Sequence, residues 1–146
     1  MKLTEILNSR MSFSFEVFPP KTDAGMEKLK TALQHYYTFK PDFISCTYGA
    51  GGSNAGRNVE VCQTIKEDGL TEVMTHFTCI GNTREKITSE LEHYQTLGIE
   101  NILAMRGDLP EGWEGTHGDF SYGDGLIRFI KNEFPDFCIA GACYPE

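Results

Sequence analysis

Five short apolar runs, each separated from the next by a stretch with helical spacing, limit the folds open to this chain. The first, Ser12-Phe-Ser-Phe-Glu-Val-Phe18, alternates with period two and stops at Pro19-Pro20, as a strand does. Met26, Leu29, Leu33 and Tyr36 then recur at helical spacing, with Thr22 or Asp23 as the candidate N-cap. Phe43–Tyr48 reads as a second strand, followed by a Gly-rich turn and a helix over about 57–68 that Gly69 ends. Val73–Cys79 is a third strand, and Thr83 caps a helix carrying Ile87, Leu91 and Tyr94, closed by Gly98. Ile99–Met105 is a fourth. A polar, Gly-rich loop over 107–120 leads to a helix near 122–134, stopped at Pro135, and Phe137–Cys143 is the fifth strand.

The order βαβαβαβαβ implies a parallel sheet with crossover helices, four helices to five strands. Two architectures take that order. One is a five-stranded, flavodoxin-like sheet, which suits a single domain of 146 residues. The other is part of a (βα)8 barrel, for which about 250 residues are typical. The strand faces favour the barrel. Phe13, Phe15 and Val17 share one face, while Ser12, Ser14 and Glu16 share the other. A sheet covered by helices on both sides prefers apolar residues on both. Ser45 with Thr47, His76 with Thr78, Ala104 with Arg106 pointing on towards Asp108, and Ala140, Ala142 and Tyr144 each share a side in the same way. Glu16, Thr47, His76, Arg106 with Asp108, and Tyr144 therefore come at or near the C-terminal ends of five successive strands, where barrel enzymes build their active sites. The expectation is an open, curved part-barrel with strand order 1-2-3-4-5. An order of 2-1-3-4-5 would mark the flavodoxin-like sheet instead.

Charge and cysteine usage narrow the function. With 13 basic and 21 acidic side chains the net charge is −8, which argues against nucleic acid and obliges any anionic ligand to find local positive groups. No run approaches the roughly 20 apolar residues of a membrane span, and residues 1–12 do not read as a secretory signal. The five cysteines, 46, 62, 79, 138 and 143, form no CxxC pair, so reduced thiols and a cytoplasmic location are expected. The turn Gly49–Gly56 misses the dinucleotide fingerprint because Asn54 stands where glycine is needed. It misses the P-loop because Arg57-Asn58 follows Gly56. A plain turn whose N–H groups can hold an anion is the simpler reading. His76 has no second His or Cys at zinc spacing, so no metal site is expected. Arg106-Gly-Asp108 taken alone reads as a salt-bridged turn. For Glu16 two options stay open: an ion pair with a Lys or Arg, or acid–base work on a ligand.

Ser14-Phe-Glu-Val-Phe-Pro-Pro-Lys21, Thr47-Tyr-Gly-Ala50, His76-Phe-Thr-Cys79, Ala104-Met-Arg-Gly-Asp-Leu-Pro110 and Ala142-Cys-Tyr-Pro-Glu146 resemble, in order and at strand ends, the successive signatures of the methylenetetrahydrofolate reductase family. The resemblance spans residues 12–146. It implies that residues 1–146 are the N-terminal part of a single flavin-binding TIM-barrel domain. It implies FAD as cofactor, and NADH or NADPH and a folate as small-molecule substrates, in the one-carbon metabolism that supplies methionine. It further implies a complete enzyme that is a homo-oligomer, with no nucleic-acid or membrane partner. By the same resemblance Glu16 is the general acid that protonates the folate, and Asp108, the second catalytic residue, stands beside the flavin pyrimidine edge and the pterin. Thr47, Tyr48, Ala50, His76, Arg106, Gly107, Asp108, Tyr122, Gly123 and Tyr144 match flavin-contacting positions. Gly123 stands where a relative can carry alanine, a change expected to matter little for a backbone contact. Only five of the barrel's eight strands fall within the sequence. The alternative is a non-catalytic nucleotide- or pterin-binding fragment completed by another chain.

Overall fold

A computed structural model describes residues 1–48 and 55–143. The elements follow in the order α1 (Leu3–Ser9), β1 (Ser14–Val17), α2 (Asp23–Tyr37), β2 (Phe43–Cys46), α3 (Ala55–Asp68), β3 (Glu72–Thr78), α4 (Arg84–Thr96), β4 (Asn101–Met105), α5 (Gly123–Glu133) and β5 (Cys138–Gly141). The strands form one parallel sheet in the order β1-β2-β3-β4-β5. That order is the one expected of a part-barrel and excludes the flavodoxin-like arrangement. No helix among the described residues is long and apolar enough to cross a membrane.

Register separates the two faces of the sheet. Val17, Cys46, Thr75, Ile102 and Ile139 are successive Cα partners across all five strands. This row packs into a core with Leu33 of α2, Val61 and Ile65 of α3, Leu91 and Tyr94 of α4, and Leu126 and Ile130 of α5. The adjacent row, Glu16, Ser45, Met74, Asn101 and Cys138, looks the other way. The helix starts follow the sequence reading. Thr22 Oγ1 accepts from the Gly25 N–H at 3.1 Å and Thr83 Oγ1 from the Lys86 N–H at 3.3 Å, each satisfying an N–H of the first turn. Asp23 is the first residue of α2 rather than its cap, and its carboxylate pairs with Arg57.

Two expectations are corrected. The sequence reading gave four helices, and α1 is a fifth. A seven-residue helix burying only Leu3 and Ile6 is too short to persist alone. It is held by long-range bonds: the Leu3 N–H donates to Asn101 Oδ1 at 2.8 Å, and Asn101 Nδ2 donates to the carbonyls of Met1 at 3.1 Å and Val73 at 3.2 Å. The segment after α1 is fixed by Arg10, which pairs with Asp42, and by the Phe13 N–H, which donates to Asp42 Oδ2 at 2.8 Å. The second correction concerns β4. Ala104 pairs with Phe77 and is buried against the helices, so it does not share a side with the polar strand-end residues. Leu103 and Met105, partners of His76 and Thr78, follow Asn101 on that side. Ile102 to Met105 are apolar on both faces, so alternation could not tell the two sides apart.

The outer edge of β1 is aromatic. Phe15 stacks on Tyr36 at 4.6 Å and meets Phe13 edge-on at 5.0 Å, while Phe13 and Phe39 are about half exposed, at 49% and 56%.

Candidate functional site at the C-terminal ends of the strands

Glu16, near the end of β1, and His76, on β3, face each other across β2. His76 Nε2 lies 3.4 Å from Glu16 Oε2. The approach lacks hydrogen-bond alignment, and this buried Nε2 has no other partner among the described residues. Burial pushes the His76 pKa below the usual histidine value, and the Glu16 carboxylate, which acts the opposite way, does not offset it. The imidazole is therefore neutral at neutral pH. No Lys or Arg among the described residues stands within 4.0 Å of Glu16, so the ion pair with a Lys or Arg weighed from sequence is not what holds it. Thr78 Oγ1 and Asn82 Oδ1 are also buried without partners among the described residues. Each such atom costs about 1–3 kcal/mol, and all three lie at the C-terminal end of β3 or in the turn that follows it.

Further along, a cleft of about 400 Å³ opens between the ends of β4 and β5 and the start of α5, lined by Arg106, Tyr122, Gly123, Asp124, Ile127 and Ala142 among others. Three of the positions matched to flavin contact, Arg106, Tyr122 and Gly123, meet here. Tyr122 holds the N-cap position of α5 and its side chain is exposed. A Cβ on Gly123 would lie 3.2 Å from Met105 Cα and 3.3 Å from the Arg106 nitrogen. The first turn of α5 thus rests on the backbone at the end of β4, and alanine here is a tighter fit than the sequence reading allowed.

Arg106, Gly107 and Asp108 turn away from β4 at its end. Gly107 has φ +84°, and a Cβ there would lie 2.9 Å from Ile80 Cγ1 and 3.0 Å from Thr78 Cβ, so the turn requires glycine. Arg106 Nε donates to the Gly107 carbonyl at 3.0 Å. Among the described residues neither Arg106 nor Asp108 has an oppositely charged side chain within 4.0 Å, so a salt-bridged turn is not the arrangement. Both side chains are exposed. Burial pushes the Cys79 thiol up to about 11, with the positive charge of Arg106 acting against it. Beyond this turn the loop is pinned by Thr116, which is buried. Its Oγ1 donates to the Phe120 carbonyl at 2.7 Å, and its own carbonyl accepts from the Gly81 N–H at 2.8 Å.

Thr47 and Tyr48 follow β2. The Thr47 N–H donates to the Val17 carbonyl at 3.0 Å. Tyr48 turns its side chain into the helix layer, where its hydroxyl donates to Glu90 Oε2 at 2.9 Å and its ring packs 5.3 Å from Phe77. Only the Tyr48 backbone remains at the strand end, as alternation with Ile44 and Cys46 implies. Ala50, Tyr144 and the turn over 49–54 lie outside the described residues. Two residues at this end escaped the sequence reading, Asn58 and Asn82. The signal for Asn58 was present: it holds an apolar position in the helical repeat Asn58, Val61, Cys62, Ile65.

A family model described as methylenetetrahydrofolate reductase matches residues 2–146. A maize protein named methylenetetrahydrofolate reductase (NADH) 1 is 38% identical over 143 residues, 95% of this chain and 24% of its own length. The 5,10-methylenetetrahydrofolate reductases of Pectobacterium carotovorum and Salmonella typhimurium are 39% and 36% identical over 140 residues, 96% of this chain and 46% of theirs. The chain thus spans about half the length of these bacterial relatives and about a quarter of the plant one.

Proposed function

The chain belongs to the methylenetetrahydrofolate reductase family, and we propose that it forms the first part of a flavin-dependent barrel that reduces 5,10-methylenetetrahydrofolate to 5-methyltetrahydrofolate. FAD, when bound, supplies the chemistry of carrying a hydride from NADH or NADPH to the folate. The residues present fit that group. Thr78 and His76 hold buried polar atoms without partners among the described residues, and Arg106 brings positive charge for a diphosphate to a chain of net charge −8. The Gly107 turn and the close seating of Gly123 on the end of β4 set the backbone beside that charge.

The observation that carries the reading is the setting of Glu16. Its carboxyl is half exposed on the polar side of the sheet, with the imidazole of His76 at 3.4 Å as its charged-type neighbour. At half exposure the carboxylate is solvated, and no Lys or Arg among the described residues pairs with it. A carboxyl beside a neutral imidazole can instead hold a proton for a substrate and deliver it, here to the folate as its five-membered ring opens. Asp108, exposed on the turn after β4, is in this reading the carboxylate that meets the pterin and the flavin edge. Thr47 and the Tyr48 backbone provide polar contact on the β2 side.

The test is spectroscopic. The purified protein that carries this chain should be yellow, or become so with added FAD. Anaerobic NADH or NADPH should bleach the visible flavin bands, and 5,10-methylenetetrahydrofolate should restore them. A preparation that stays colourless with excess FAD overturns the proposal and favours a non-catalytic fragment.

A further inference from the structure

We infer that Asn58 is a positioning residue for this site: its buried amide clamps the end of β2 so that Thr47 is presented to the flavin, an inference that rests on the flavin reading above. Asn58 lies in α3 and is fully buried. Its Nδ2 donates to the carbonyls of Cys46 at 3.1 Å and Thr47 at 3.0 Å, the last residue of β2 and the first beyond it. Its Oδ1 accepts from Thr75 Oγ1 at 2.9 Å and from the Tyr94 hydroxyl at 3.1 Å. Both donors and both acceptor sites of the amide are thus engaged.

The location explains the residue type. Past Cys46 the sheet ladder ends, and two consecutive carbonyls turn towards α3 instead of a neighbouring strand. A leucine would suit the apolar stripe of Val61, Cys62 and Ile65 better, yet it would leave both carbonyls bare. Only an amide of this length offers two donors to the strand end and an acceptor to the layer behind it. Thr75, which donates to this acceptor, directly precedes His76. The network therefore joins the β2 end to the strand that carries the buried imidazole. Tyr94 donates only to the acceptor side of the amide, opposite the two N–H groups that hold the strand end.

The experiment compares Asn58→Asp with Tyr94→Phe in the protein that carries this chain. FAD affinity is read by quenching of flavin fluorescence, and melting temperature is read in parallel. Asn58→Asp keeps the shape and the acceptor facing Thr75 and Tyr94 but loses both N–H donors. It should bind FAD about tenfold less tightly at alkaline pH. The loss should shrink as pH falls, because the new carboxyl then takes a proton and can donate one bond. Tyr94→Phe should melt at a lower temperature with FAD affinity unchanged. If Asn58→Asp does not fold, Asn58→Ser, with a single short donor, should show the same loss of affinity. An Asn58 variant that folds and binds FAD like the wild type overturns the inference, as does a Tyr94→Phe loss of affinity equal to that of Asn58→Asp. A wild type that binds no FAD overturns the flavin reading itself, a result distinct from either.

Discussion

The two ends of this sheet use polar side chains in opposite ways. At the N-terminal end, Asn101 is buried and fully engaged, with its Oδ1 accepting from Leu3 and its Nδ2 donating to the carbonyls of Met1 and Val73. Asp42 there accepts from the Phe13 N–H and pairs with Arg10. At the C-terminal end, His76 Nε2, Thr78 Oγ1 and Asn82 Oδ1 are as well buried and have no partner among the described residues. Polar groups thus close one end in pairs, while the other holds buried polar atoms without partners among the described residues. The division matches the general rule for barrels, in which the N-terminal face serves stability and the C-terminal face serves chemistry.

The largest effect that sharpens this contrast is expected at Glu16. Glu16→Gln keeps the shape of the side chain but cannot deliver a carboxylic proton. Folate reduction should fall by about 10²–10⁴-fold, while reduction of bound flavin by NADH stays nearly intact. Separate stopped-flow measurement of the two half-reactions checks this. Equal loss of both rates, or of neither, removes Glu16 from the catalytic role.

Next in size is the opposite end. Asn101→Ala strips three hydrogen bonds from a buried junction and should cost about 2–3 kcal/mol of stability. Urea unfolding of wild type and variant gives the number, and FAD affinity measured well below the unfolding midpoint should not change. A variant of unaltered stability, or one that has lost only flavin, breaks the division between the two ends.

The smallest effect is the pH dependence contributed by His76. Its pKa in the folded protein lies below the ordinary value of 6.5, chiefly through burial. Between that lowered value and about 6.5 the unfolded chain binds more protons than the native one, so stability rises with pH and is lost as pH falls through this window. Comparing the urea midpoints of wild type and His76→Gln from pH 7.5 down to pH 5 should show a shallower decline in the variant. A slope that is unchanged or steeper contradicts the neutral, buried imidazole.

What the sequence disclosed follows from how local each signal was. Thr22 and Thr83 announced their helices because capping is settled within four residues. The Ser14, Glu16 face and the Ser45, Thr47 face were legible because polar and apolar residues alternate cleanly there. β4 gave no such contrast, and Arg106 lies beyond the last paired residue, where strand parity no longer applies. α1 was hidden for a different reason: its helix depends on Asn101, 98 positions from Leu3. Asn58 left a trace in the apolar stripe of α3. Its partners, however, are backbone carbonyls that no side-chain pattern reports. Tyr48 was matched to flavin contact by resemblance, while period-two alternation already turned its side chain towards the helices.

The bond from Leu3 to Asn101, which spans 98 positions, also bears on the order of assembly during synthesis. Ribosomes add about 5–20 residues per second, so α1 emerges roughly 5–20 s before the strand residue that holds it. For that interval the Leu3 N–H lacks its Asn101 partner, and β1 to β3 can pair while this bond is still unmade. The hydrogen bonds that hold α1 are therefore complete only after β4 has been made. Conditions that speed or slow elongation should alter how long α1 stays open to chaperones and proteases.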